Sequence, residues 1–273
     1  MEQTDCIICN KSNLNIFKLF KFNDKKFTLV KCLKCSLVFL NPRVCESDIT
    51  EYYNLNYKPF QKTKSFINTI YRLIRKINFI IKKKILIRYV GKNKNNLDIG
   101  SGDSFFSKKL NSLGWISSSY DKFNQNDSDI KNLLKLKKKS FDSITMWHSI
   151  EHMYDINSVF KKVNNILDDN GFLFIACPNI DCKELEFLDN NWAAFDLPRH
   201  IYHFNYNSMS IFLEKHGFNI EGLENLKIDT FYNIFMSKNT NFLYKILILF
   251  QCFFNQLIDI KKSSTLVYVC KKI

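Results

Sequence analysis

Two cysteine pairs near the N-terminus carry the first chemistry legible in the chain. Cys6-Ile7-Ile8-Cys9 is followed, after 22 residues, by Cys32-Leu33-Lys34-Cys35. Two C-x-x-C knuckles at this separation match a zinc ribbon, in which four thiolates close a tetrahedron around one ion. Four protein ligands leave no open position, so the expected role of Cys6, Cys9, Cys32 and Cys35 is structural. A thioredoxin-like site would need a single C-x-x-C in a βαβ setting, which is absent here. Cys45 falls outside the pattern, and Cys177, before Pro178 at a strand end, is expected to be a small core residue rather than a nucleophile.

The second stretch with chemical content is Asn96-Leu97-Asp98-Ile99-Gly100-Ser101-Gly102-Asp103-Ser104-Phe105-Phe106, read as a buried strand, a glycine turn and a helix start. The chain has only 7 glycines, so two of them at i and i+2 after a strand are informative. Glycine lets the backbone turn tightly and meet a ligand closely, and the helix beyond aims free N–H groups at the same point. A dinucleotide fingerprint wants a third glycine where Phe105 stands, and no Gly-Lys-Ser/Thr follows for a Walker A loop. Asp98, two residues before the first glycine, suits a ligand with an ammonium group better than a polyphosphate. A second strand from Trp115 to Tyr120 ends at Asp121, where a carboxylate can accept hydrogen bonds from both hydroxyls of a ribose.

These residues need a sheet to hold them. Further strands are expected at Phe141–Trp147, Phe172–Cys177, Phe218–Glu221 and Thr265–Cys270, with a third strand inside the polar, lysine-rich stretch between Asp121 and Lys139. Helices are expected at Phe66–Tyr89 (apolar at 66, 70, 74, 77, 81 and 85), Asn157–Leu167 and Ser208–His216. An aromatic segment (Tyr52, Tyr53, Tyr57, Phe60) precedes the first of them. At 273 residues and 46% hydrophobic the chain can bury a large core. Its net charge of +14 rests mainly on lysine, with arginine only at 43, 72, 75, 88 and 199. Arginine is the residue of choice for reading phosphates and bases, so nucleic acid is not the expected partner. No apolar leader opens the chain, and a cytoplasmic location with reduced thiols is expected.

Acid, glycine turn and second acid resemble the first motif of the class I S-adenosylmethionine (SAM) methyltransferases, [LV]-D-[IVL]-G-x-G-x-G, with Ser104 at the last glycine. F-D-x-I-x-x-x-x-x-x-E-H from Phe141 to His152 resembles the fourth-strand motif of the ubiquinone-biosynthesis type, and W-x(5)-P-R-H-x-x-H-F from Trp192 resembles their acceptor-side loop. Cysteine knuckles followed by L-V-F-L-N-P-R resemble the start of bacterial methyltransferases with a zinc ribbon, some of them in sugar and surface-polysaccharide pathways. The resemblance implies an α/β fold: a Rossmann-like, doubly wound, seven-stranded, mostly parallel sheet carrying a small N-terminal zinc ribbon. It divides the chain into a ribbon (1–45), a helical linker region (46–92) and a methyltransferase domain (93–273) with a lid loop (179–204) and an apolar insert (230–262).

Residue by residue, the resemblance implies SAM binding by Asp98, Gly100, Ser101, Gly102, Asp121, Trp147 and His148, and an acceptor side formed by Trp192, Arg199 and His200. An imidazole with a pKa near 6.5 has its neutral form available to take a hydroxyl proton. His152 is therefore the expected general base, His203 the second choice, and Glu151 an orienting carboxylate. The expected reaction is O-methylation of a small acceptor, a sugar or lipid-linked sugar, with SAM as cofactor and zinc as a structural ion. A sugar C-methyltransferase, an RNA methyltransferase and a non-catalytic SAM-binding protein are the alternatives. The apolar run Phe242–Ile258 is too short and polar for a span. The Phe66–Tyr89 helix carries Lys64, Arg72, Arg75, Lys76, Lys82, Lys83 and Lys84 on a face expected to be solvated. Helix and run are expected either to pack on the sheet or to make peripheral contact with the inner face of a membrane.

Overall fold

The computed structural model describes residues 1–11, 13–22, 25–54, 66–92, 94–238 and 240–273. Tyr57 and Phe60 of the aromatic segment lie outside the described residues. Strands β1 (Leu14–Phe22), β2 (Lys25–Cys32) and β3 (Val38–Leu40) form an antiparallel ribbon. Helices α1 (Thr50–Asn54) and α2 (Phe66–Val90) lead to β4 (Asn95–Ile99), α3 (Phe105–Asn111) and β5 (Ile116–Tyr120). Then come β6 (Phe141–Trp147), α4 (Ile156–Ile166), β7 (Leu167–Pro178) and α5 (Glu184–Leu188). The chain closes with β8 (Tyr202–His203), α6 (Tyr206–Lys215), β9 (Phe218–Asn225), α7 (Lys227–Met236), α8 (Phe242–Ile258) and β10 (Thr265–Lys272).

The main sheet runs β5-β4-β6-β7-β10-β9. Its first four strands are parallel and β10 is antiparallel to both neighbours. This is a Rossmann-like α/β sheet, mostly parallel as expected, with six strands among the described residues rather than seven. The missing strand is the one sought between Asp121 and Lys139. There Asp129 turns its carboxylate onto the edge of β5, accepting from Ser119 N at 2.9 Å and Ser119 Oγ at 2.7 Å. A side chain thus satisfies the edge that a strand would have paired.

Central strands covered on both faces read as near-continuous apolar runs, and Leu173–Cys177 of β7 and Leu266–Cys270 of β10 are buried accordingly. Polar residues break this pattern in one row leading to Asp98. Ser143 Oγ donates to Asn96 Oδ1 at 2.9 Å, and Thr145 Oγ1 donates to Asp98 Oδ1 at 2.8 Å. Helix α2 packs differently from its predicted stripe. Ile85 of that stripe is buried as expected, but Ile77 is exposed, Leu86 outside the stripe is buried, and Lys82, expected on a solvated basic face, turns inward with Nζ 5.0 Å over the Trp147 ring.

The loop after β7 is not a free lid. Its strand β8 completes the ribbon sheet, with Val38 opposite His203 and Phe39 opposite Tyr202. Phe20 of β1 meets Phe195 edge-to-face at 4.8 Å, and Arg43 Nη1 donates to the Tyr202 hydroxyl at 2.9 Å. The ribbon and the loop are one layer over the carboxyl ends of the parallel strands. In the insert, Ile248, Cys252 and Gln256 of α8 face inward while Phe250 and Phe254 are exposed. Among the described residues no helix is long and apolar enough to cross a membrane.

Candidate active site

The glycine turn after β4 has the geometry its residues imply. Gly100 (φ +75°) and Gly102 (φ +57°) are left-handed, a conformation glycine adopts at no steric cost. A Cβ on Gly100 would lie 2.2 Å from Ser149 Cβ, whereas one on Gly102 would meet nothing within 4 Å. Ser104, standing where the motif has glycine, also has φ 60°. Its hydroxyl donates to the Asp127 carbonyl at 2.6 Å, holding a conformation that L-residues seldom adopt.

A cavity of about 970 Å³ opens beside this turn, lined by Asp98, Gly100 and Ser101 together with His152, Trp192, Arg199 and His200. Phe20, Lys21 and Phe27 of the ribbon form part of its wall. Asp98 is 3% exposed, and burial pushes its carboxyl up to about 7. Asp121 lies just behind the turn. Its Oδ2 accepts from Gly102 N at 2.9 Å, and its Oδ1 accepts from the N–H groups of Phe123 and Asn124 at 2.9 and 2.8 Å. Asp121 thus ties the turn together and is not among the cavity-lining residues.

β6 delivers Trp147 and His148 to the cavity wall. Trp147 packs edge-to-face on Phe106 at 5.5 Å. His148 (φ 55°) places Nε2 2.9 Å from Asp229 Oδ2 and Nδ1 3.4 Å from Glu151 Oε1. Burial disfavours the charged ring, but the Asp229 and Glu151 carboxylates outweigh it and raise the group to about 9. The same balance holds for Glu151 in reverse: burial opposes its charge, while His148 and the neighbouring rings hold it down at about 2.

The 3-10 turn Ile150–His152 carries the next two groups. His152 Nδ1 lies 3.0 Å from the Arg199 carbonyl oxygen and 3.1 Å from the Tyr53 hydroxyl. A carbonyl only accepts, so the network assigns the proton to Nδ1 and the lone pair to Nε2. His200 repeats the arrangement, with Nδ1 2.8 Å from the Ala194 carbonyl oxygen, and the two rings meet edge-to-face at 4.7 Å. Burial and the adjacent His200 push His152 down to about 4. His203 sits behind them, 1% exposed, with no hydrogen-bond partner for either ring nitrogen among the described residues. Burial lowers it to about 3, and it does not line the cavity. Trp192 is anchored by its indole N–H, which donates to Glu184 at 3.2 Å, and Arg199 pairs with Asp196.

Cys6, Cys9, Cys32 and Cys35 converge as expected: their sulfurs lie within 4.8 Å of one another and none is in a disulfide. Burial raises the Cys177 thiol well above the ordinary range, which fits a core residue and not a nucleophile. Sequence reasoning missed Lys82, Asp229 and Glu184. Asp229, in the first turn of α7, carried a helix-start signal, but its pairing with His148 spans 81 residues and leaves no local trace.

A methyltransferase-domain family model matches residues 67–223, more than half of the chain. No curated protein matches it. The fold resembles Burkholderia thailandensis 1,6-didemethyltoxoflavin-N1-methyltransferase, solved with bound 1,6-didemethyltoxoflavin and S-adenosylhomocysteine (SAH), at TM-score 0.53 and 10% identity over 96% of this chain and 99% of that one. It also resembles a protein from Pyrococcus horikoshii at TM-score 0.50 and 17% identity, over 82% and 99% of the two chains. A SAM-dependent methyltransferase from Archaeoglobus fulgidus is similar at TM-score 0.49 and 15% identity, over 77% and 100%. With the glycine turn, the flanking acids and the matched family in place, the chain belongs to the methyltransferase-domain family and is a class I SAM-dependent methyltransferase.

Proposed function

We propose that this enzyme moves the SAM methyl group to a hydroxyl of a small acceptor, a sugar or a surface-polysaccharide intermediate. One observation carries the reading: a single cavity is lined both by the glycine turn with Asp98 and by His152, His200, Trp192 and Arg199. Bound SAM would supply an electrophilic methyl on a sulfonium. Asp98 would meet its ammonium group, Asp121 its ribose hydroxyls, and the backbone at Gly100, Ser101 and Gly102 would lie along it beside Trp147 and His148. In-line attack needs the acceptor oxygen aligned and its proton removed. Trp192, Arg199 and His200 would orient the acceptor. His152 Nε2, left with a lone pair by the Arg199 carbonyl, would take the proton, and Glu151 would steady the histidine cluster. With labelled SAM, sugar nucleotides and lipid-linked sugars should gain one methyl that is stable to base, as an ether is. Label found only in RNA would reject the reading.

The cysteine cluster would hold a structural zinc, because four convergent thiols match its tetrahedral preference. Since β3 pairs with β8, that ion would also brace the acceptor wall. Elemental analysis should find about one zinc per chain; Cys32→Ser should lose it and melt at lower temperature. Zinc retained in that variant would reject the ligand set. The exposed Phe250 and Phe254 of α8 suggest peripheral contact with an anionic membrane, where a lipid-linked acceptor would be met. Wild type should float with anionic liposomes at low salt, and failure to float would leave the acceptor soluble.

A further inference from the structure

Glu151, His152 and His200 share a property that acid–base chemistry does not require. One ligand atom from each comes within 4.8 Å of the others, a spacing that a single ion can bridge. Both histidines donate Nδ1–H to backbone carbonyls, of Arg199 at 3.0 Å and of Ala194 at 2.8 Å. That is the support a metal-binding imidazole receives: the distal nitrogen fixes tautomer and ring angle, and Nε2 is left to coordinate. Glu151 is 1% exposed, and neither of its oxygens accepts a hydrogen bond from a described residue. A carboxylate so deeply buried is expected to be paired, hydrogen-bonded or on a metal. Its nearest cation, His148, stands 3.4 Å from Oε1 and is shared with Asp229.

We propose that Glu151, His152 and His200 form a second metal centre, holding one divalent transition-metal cation at the acceptor end of the cavity. The donor set is two imidazoles and one carboxylate, unlike the four thiolates of the ribbon. Such a set suits zinc, iron(II), cobalt(II) or manganese(II). Three protein ligands leave positions open, the mark of a catalytic rather than a structural site. His152 and His200 both line the cavity, so the open positions face the acceptor. Asp196, with Oδ2 3.7 Å from His200 Nε2, is close enough to become a fourth ligand.

The inference rests on the reading of this cavity as the acceptor site and names how the hydroxyl is activated there. A cation lowers the pKa of a bound oxygen acid, so the acceptor hydroxyl would release its proton to water. The oxygen–methyl bond then forms as the methyl–sulfur bond breaks, leaving a neutral thioether. With the cation bound, His152 Nε2 would be a ligand and water the proton acceptor; without the cation, the same Nε2 would take the proton directly.

The test is a cobalt(II) titration of the zinc-loaded full chain, followed by absorption. One equivalent should bind without the sulfur-to-metal charge-transfer band that thiolate ligation gives. Glu151→Gln, which keeps the side chain's shape, should lose at least tenfold in cobalt affinity; so should His200→Gln. Chelation of the added metal should lower turnover while SAH affinity, read by calorimetry, stays unchanged. Absence of bound cobalt in wild type, or equal uptake by Glu151→Gln, would overturn the centre. The calorimetry keeps the two readings apart: SAH binding without cobalt uptake removes only the metal centre. Cobalt uptake without SAH binding upholds the centre and removes the cofactor assignment.

Discussion

His152→Ala is expected to lower turnover by roughly 100-fold or more while leaving SAH affinity near that of wild type. The expectation follows from position: the ring lines the acceptor half of the cavity, and its Nδ1 is held by the Arg199 carbonyl and the Tyr53 hydroxyl. What remains for chemistry is Nε2. Because burial and His200 hold the group at about 4, the ring is neutral throughout the range from pH 6 to 9. Loss of activity on the acid side within that range should therefore come from another group. Radiolabel transfer and SAH calorimetry on one preparation check the pair of outcomes. Near-normal turnover would move proton removal to another residue, and lost SAH binding would mean that His152 supports the cofactor wall.

Gly100→Ala should weaken SAH binding more than tenfold, and Gly102→Ala should do far less. Both positions are left-handed, which costs an L-residue about 1–2 kcal/mol. At Gly100 the new methyl would also meet Ser149 Cβ at 2.2 Å, and Ser149 cannot yield freely because its hydroxyl donates to the Ile99 carbonyl at 2.9 Å. The turn must shift, taking Asp98 and Ser101 with it. At Gly102 the methyl would enter open space. Asp121→Ala should fall between them, costing about 1–3 kcal/mol through the loss of charge-assisted hydrogen bonds. Equal affinities for the two alanine variants would show that the turn is not where the cofactor lies.

What was legible in the sequence was local. The cysteine knuckles, the strand–glycine–helix stretch around Gly100, the strand leading to Trp147 and the Glu151-His152 pair all stand in the structure where their spacing put them. The features that escaped are made by partners far apart in the chain. β8 joins the ribbon through Val38 and His203, Lys82 folds inward onto Trp147, and Asp229 reaches His148. The expected third strand failed for a related reason. Its segment has few apolar residues to bury, and the edge it would have paired is taken by Asp129. Among the histidines, sequence position alone could not separate His152 from His203. Burial does, since only His152 lines the cavity.

The most direct test of the whole account is calorimetric titration of the zinc-loaded protein with SAH at pH 6 and pH 8. Asp98 is buried with its carboxyl raised to about 7, so at pH 6 it must release a proton before meeting the ligand's ammonium group. Raising the pH through 7 removes that requirement. One SAH should bind per chain, about tenfold more tightly at pH 8 than at pH 6. No saturable binding at either pH would contradict the cofactor site on which every other assignment depends.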